Sequence, residues 1–274
     1  MSCMGLVSVS TGFLPRLEGH RFYELSSVLR MMKRFREDSH VDGFELGLLP
    51  EWDSEGPPLT PTSAPADCEK HTAKEICDAV EREGFEILTV HANRDVGTYL
   101  CSDTPSMVAK GERLAEEALE ATQRLGADVC VFHIWPSWKE SFDVNRLLNL
   151  YARLMDKHAG IEVSVENVPT VSKTWTPFSL AEKFGHVTLD LKWASMYYEF
   201  ERFVDVMERV DNIHVQGKSL NDVFVPSVGT LDYDYAFRRI RRAGYDGLFT
   251  VELEGTASYE NVLTYVARLK KLGA

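Results

Sequence analysis

The chain has 274 residues, with 30 Lys and Arg against 42 Asp and Glu, a formal charge of −12 and 44% hydrophobic residues, the make-up of a globular protein with a sizeable core. An acidic surplus of this size repels polyphosphate at long range, so nucleic-acid binding would need a local basic patch that overcame the global field. No window reaches about 18 uninterrupted apolar residues, which argues against a membrane helix, and small-molecule chemistry becomes the better expectation.

Cysteines at 3, 68, 77, 101 and 130 form no CxxC pair and no zinc-type spacing, so they read as reduced thiols. Residues Met1 to Gly12 lack both a basic and a continuous apolar region; no signal peptide is expected and the expected location is cytoplasmic.

In chain order, short runs rich in Val, Ile, Leu and Phe alternate with longer segments of helical periodicity. The strands are expected at Gly5-Val9, Gly43-Gly47, Ile87-His91, Val129-Trp135, Glu162-Asn167, Val187-Leu191, Asn212-Gln216 and Leu248-Glu252. Helical spacing runs through Phe22, Leu25, Val28, Met32 and Phe35, through Val108, Ala115, Ala118, Thr122 and Leu125, and through Tyr259, Val262, Val266 and Leu269. Strict alternation of eight strands with helices, at about 34 residues per unit, is close to what a parallel βαβ step needs. With no Pro/Gly-rich linker to divide it, the chain is expected to fold over 1–274 as one single-domain (β/α)8 TIM barrel. A doubly wound open sheet would alternate in the same way, but Ser8-Val9-Ser10-Thr11-Gly12 is not the glycine-rich phosphate turn such a sheet usually carries. The irregular stretch Pro50 to Lys70 holds five prolines and is expected to be an extended loop after the second strand, where it could cover an active site or be a plain excursion.

Strands buried on both sides should be apolar throughout. Here Glu45, His91, His133, Glu166, Asp190, His214 and Glu252 interrupt that pattern at or near the C-terminal ends of their runs, the end from which barrel active sites are built. Any one of them has an ordinary explanation as a hydrogen-bonded core residue, but seven at one barrel mouth call for a shared cause. His20, His40, His71, His158 and His186 lack this registry and read as surface or packing residues.

Val165-Glu166-Asn167-Val168-Pro169, Thr188-Leu189-Asp190, Asn212-Ile213-His214-Val215, Gly229-Thr230-Leu231-Asp232-Tyr233, Gly244-Tyr245-Asp246-Gly247 and Val251-Glu252-Leu253 occur in an order and spacing that resemble the xylose-isomerase-like barrel superfamily. That group holds sugar isomerases and epimerases together with endonuclease IV. The resemblance implies one divalent metal ion held by Glu166, Asp190, His214 and Glu252. An oxygen-rich set of this kind suits Mn²⁺ or Mg²⁺, with Zn²⁺ and Co²⁺ admissible. A structural salt-bridge ring with Lys192 and Lys218 is the alternative. The resemblance further implies that Glu166 and Glu252 act as base and acid on a small sugar substrate, the metal serving as Lewis acid.

His91 and His133 would then bind substrate hydroxyls or shuttle protons, and Trp135 and Trp138 would offer an apolar wall or simply pack. Glu45 and Gln216 are further substrate-binding candidates. Lys192, two residues after Asp190, would face the same side if the strand stayed extended, there to bind substrate, pair with Glu166 or replace the metal. Against the nuclease pattern, Trp193 stands three residues after Asp190 where a histidine is expected, and Asn221-Asp222-Val223-Phe224 supplies none. The expectation is therefore a metal-dependent sugar isomerase or epimerase, with no nucleic-acid or membrane partner and homo-oligomerisation left open. An endonuclease IV-like phosphodiesterase acting at abasic sites and a non-catalytic ligand-binding barrel are the alternatives.

Overall fold

The computed structural model describes residues 5–20, 22–39, 41–53, 68–220, 223–225, 229–253 and 258–273. Its strands are β1 (Leu6–Ser10), β2 (Gly43–Gly47), β3 (Ile87–His91), β4 (Val129–Phe132), β5 (Glu162–Glu166), β6 (His186–Asp190), β7 (Val210–Val215), β8 (Lys218–Leu220), β9 (Val223–Val225) and β10 (Leu248–Val251). Eight of them close a parallel barrel in the order β1-β10-β7-β6-β5-β4-β3-β2, and β8 with β9 forms a separate antiparallel hairpin. This is a single (β/α)8 TIM barrel. The open doubly wound sheet is excluded by the β1–β10 pairing that closes the ring.

Helices cover the outside of the ring. The helix Leu25–Asp38 turns Val28, Met31, Met32 and Phe35 inward, and Pro105–Arg124 does the same with Ala115, Ala118, Leu119 and Thr122. The helix Tyr259–Gly273 buries Val262, Val266 and Leu269. The i, i+3, i+4 spacing places these side chains on one stripe facing the sheet. Phe22 precedes the first of these helices, which starts at Leu25.

Alternation is less strict than expected, because the β8–β9 hairpin follows β7 on the way to the last unit. Strand β4 stops at Phe132, so His133 and Trp135 belong to the loop that follows. Strand β6 stops at Asp190, whose carboxylate accepts the Trp193 N–H at 2.8 Å and caps a helix over Leu191–Met196. Only the ends of Pro50 to Lys70 are described. Pro50–Trp52 form a buried 3-10 turn, and His71 N–H bonds the Trp52 carbonyl at 3.2 Å, closing the base of the segment. Residues 54–67 lie outside the described part, as does Glu254. Among the described residues no helix is long and apolar enough to cross a membrane.

Candidate metal centre and active site

Adjacent strands β5, β6, β7 and β10 carry Glu166, Asp190 and His214 at or near their C-terminal ends and Glu252 one residue beyond. Parallel pairing sets Asp190 opposite His214 and Thr250 opposite His214, so one more inward-facing step along β10 brings Glu252 over the same point. One ligand atom from each of the four side chains lies within 4.8 Å of the others, and so do atoms of His91, His133 and Glu166, making two clusters that share Glu166. His214 Nδ1 is 3.2 Å from Glu252 Oε2 and 3.6 Å from Glu166 Oε1. Glu166 Oε2 meets His133 Nε2 at 2.7 Å and His91 Nε2 at 3.2 Å.

Asp190 and His214 have no exposed surface, Glu166 has 1%, and the Glu252 side chain is 27% exposed, so the cluster is open to solvent chiefly past Glu252. Asp190 is clamped by Asn167, which accepts the Asp190 N–H at 2.6 Å and donates to its carbonyl at 3.1 Å. Gln216 donates to Glu252 Oε2 at 2.9 Å and is itself held by the Tyr233 hydroxyl, which donates to its carbonyl.

Charge is badly balanced in this space. Burial, then the nearby Glu166 and Glu252, push the Asp190 carboxyl well above its usual range. Burial works against ionisation of Glu166 too, but His133 and His214 outweigh it and hold that carboxyl well below the usual range. Glu252 is lowered in the same way, burial being overcome by its contact with His214. Burial alone would depress both His214 and His91; the surrounding carboxylates win, raising His214 well above an ordinary imidazole and His91 to about 9. Asp190 Oδ2 is buried without a hydrogen-bond partner, which is costly unless a ligand satisfies it, while His214 Nδ1 makes no aligned hydrogen bond but lies against the Glu252 carboxylate. Three carboxylates that repel one another, with one imidazole among them, fit a divalent cation.

Several expected substrate contacts are placed differently. Glu45 is fully buried below the mouth, because the register pairs it with Thr89 while Gly47 pairs with His91. Its Oε2 accepts from His214 Nε2 at 2.9 Å, Thr89 Oγ1 at 3.0 Å and Asn212 Nδ2 at 3.2 Å. Trp135 is a core residue and not a wall for ligand: it is 1% exposed, lies near the ring of Phe184 and donates its indole N–H to the Val168 carbonyl. Trp138, by contrast, is 59% exposed.

Lys192 does not continue an extended strand. The helix begins at Leu191, leaving the Lys192 ammonium over the Trp193 ring at 3.6 Å. The side chain of Lys218 lies outside the described part, as do Asn221 and Asp222. His186 sits at the opposite end of the barrel between Glu162 and Asp211, and His158 pairs with Glu116, both remote from the mouth in role and position.

Sequence reasoning missed the layer beneath the site. Ser8, Thr89, Ser164, Thr188, Asn212 and Thr250 are all fully buried, where barrel interiors normally hold Val, Ile and Leu. Five of them stand two residues before His91, Glu166, Asp190, His214 and Glu252 on the same strand, hence on the same inward face. That offset was a usable signal.

No curated protein sequence matches the chain. Its fold is similar to D-allulose 3-epimerase from Methylomonas sp. in complex with D-allulose, with a TM-score of 0.65 and 13% identity over 98% of this chain and 94% of that one. It is similar as well to 3-keto-D-glucoside 4-epimerase from E. coli, with a TM-score of 0.62 and 14% identity over 97% and 99% of the two chains. A family 2 AP endonuclease from Brucella melitensis matches with a TM-score of 0.63 and 15% identity over 97% and 99%. The profile of one family matches residues 37–271, which takes in every site residue described above except those on β1, and the chain belongs to the xylose isomerase-like TIM barrel family.

Proposed function

We propose that the chain is a divalent-metal-dependent isomerase or epimerase acting on a small sugar or polyol derivative. The observation that carries this reading is the convergence of Glu166, Asp190, His214 and Glu252, with the buried Asp190 Oδ2 left without a hydrogen-bond partner. Glu166, Asp190, His214 and Glu252 would hold the ion, with Mn²⁺ or Mg²⁺ favoured by the oxygen-rich set. A bound dication polarises a substrate carbonyl and stabilises the negative charge that grows as a neighbouring C–H proton leaves.

Glu166 and Glu252, three strands apart around the ring, approach the cluster from different sides. Both are held ionised by their histidine contacts, the state a general base must start in. One carboxylate would take the proton from one carbon and the other return it to the opposite face or the adjacent carbon. His91, 12% exposed at its side chain, and His133, 25% exposed, line the open side beside Glu166 and would donate to substrate hydroxyls. Gln216 would hold the Glu252 carboxylate in orientation.

The direct test is solvent exchange. Chain stripped with chelator and reloaded with Mn²⁺ is incubated in D₂O with a panel of ketoses and keto-glycosides. Deuterium should enter the carbon next to the carbonyl of at least one of them, only in the reloaded sample. Metal-loaded protein that exchanges none of the panel would contradict the reaction.

A second reading has one observation in its favour. His91 Nδ1 lies 2.8 Å from the Ala92 carbonyl, which turns Nε2 toward Glu166 beside His133 Nε2. Such a trio could hold a second ion and support phosphodiester hydrolysis. Nicking of abasic duplex would mark that reading, and the net charge of −12 weighs against it.

A further inference from the structure

We propose that Glu45 is a positioning residue for His214, holding the imidazole so that Nε2–H points into the barrel and Nδ1 faces the carboxylate cluster. Its consequence for ion binding rests on the metal-centre reading above.

Three donors converge on one oxygen of Glu45. Glu45 Oε2 receives the Thr89 hydroxyl at 3.0 Å, the Asn212 amide at 3.2 Å and His214 Nε2 at 2.9 Å. A carboxylate oxygen already taking two donors has only acceptor capacity to offer, so Nε2 must carry a proton whatever the state of Nδ1. The carboxylate, which can only accept, sets the polarity of the bonds that lead away from it. Thr250 donates its hydroxyl proton to Asn212 Oδ1 at 2.9 Å, so Ser8 must be the donor in its 2.8 Å contact with Thr250. Because Glu45 can only accept, Asn212 presents its NH₂ to it, which leaves Oδ1 to take the Thr250 proton. All protons in the chain Ser8, Thr250, Asn212 run toward the Glu45 carboxylate, and bonds aligned in this way reinforce one another in a low-dielectric interior.

The other face of the ring is the one that matters for a ligand. Nδ1 is buried with no hydrogen-bond partner and lies 3.2 Å from Glu252 Oε2 and 3.6 Å from Glu166 Oε1. A metal-binding imidazole whose second nitrogen donates to a carboxylate is fixed in ring orientation and made a better donor. Glu45 has no exposed surface, so it touches no ligand in the mouth, and its contact with the ligand set is the hydrogen bond to His214.

Two measurements test the assignment. In ¹⁵N-histidine-labelled protein, with and without Mg²⁺, His214 is identified by the signal lost in His214→Asn. The expected signal is a solvent-protected N–H on Nε2, absent in Glu45→Ala. Calorimetric titration with Mn²⁺ should show affinity weakened ~10–100-fold in Glu45→Ala and less in Glu45→Gln, which keeps an acceptor oxygen and the side-chain volume. A His214 ring protected at Nδ1 and not at Nε2 would overturn the proposal, as would wild-type Mn²⁺ affinity in both variants. If the wild type binds no Mn²⁺ yet keeps the Nε2 signal, the positioning role stands and the metal reading falls. If Glu45→Ala does not fold, the wild-type spectrum and Glu45→Gln decide the matter.

Discussion

Glu166 lies in contact with three imidazoles, those of His91, His133 and His214, and no other side chain of the site belongs to both clusters. Replacing it by Gln keeps the volume and removes the charge. Glu166→Gln should therefore abolish turnover, by about 10³-fold or more for loss of a general base that is also a ligand, with the circular dichroism spectrum unchanged. The imidazoles give the metal-free protein a pH signature. His91 is raised from 6.5 to about 9 in the folded state, so the folded form binds more protons than the unfolded one across that interval. The stability due to this contact is complete below pH ~6.5 and is lost as pH rises through ~9, at most about 3 kcal/mol; His214 acts with the same sign. Thermal melts in chelator should show Tm falling between pH 6.5 and 9, and a Tm that rises there would contradict the assignment.

Glu166, Asp190, His214 and Glu252 were legible among seven residues because a charged group at the end of an apolar run has few causes, and the family resemblance singled out these four as a ligand set. The role of Glu45 was not, since only the β2–β3 register reveals that it sits one layer lower than His91. Trp135 looked like part of the mouth because nothing in its neighbourhood marks the end of β4 at Phe132.

The elements hold these side chains through close backbone contacts. Gly97, in the short helix Val96–Leu100, packs so tightly on the segment after β4 that a Cβ there would come within 2.6 Å of the His133 carbonyl and of Trp135 N. Gly97→Ala must push that segment away, carrying His133 from Glu166; overpacking of this kind costs about 1–3 kcal/mol. The expected result is a lowered Tm together with reduced activity, whereas Gly84→Ala, at a helix end with φ of 62° and no neighbour within 4 Å, should cost about 1 kcal/mol and leave activity intact. Strand positions were readable to within a residue or three because β-branched and aromatic runs are short and bounded. Where β6 becomes helix was harder, although Asp190 is itself a good N-cap and its immediate capping is what carries Lys192 off the strand face. The β8–β9 hairpin left no comparable mark, being only three residues on each side.

For the whole molecule, closure of the ring turns residues as distant in sequence as Glu45 and His214 into neighbours, and the polar chain from Ser8 to Glu45 crosses β1, β10, β7 and β2 only because β1 pairs with both β10 and β2. Alternation of strand and helix made this architecture legible, while the cross-ring contacts required the closed register. The charge of −12 acts at the same scale: at ~0.15 M salt the chain should show no binding to duplex DNA in a gel-shift assay, and tight salt-dependent binding would revive the nuclease reading. Four side chains from adjacent strands would together form the proposed cation site. Equilibrium titration of chelator-stripped protein with Mn²⁺, comparing wild type with Asp190→Asn, tests it most directly. Saturable binding by the wild type, weakened at least tenfold in a variant that still folds, is the predicted result; a wild type that fails to bind below millimolar Mn²⁺, or a variant that binds equally well, would contradict it.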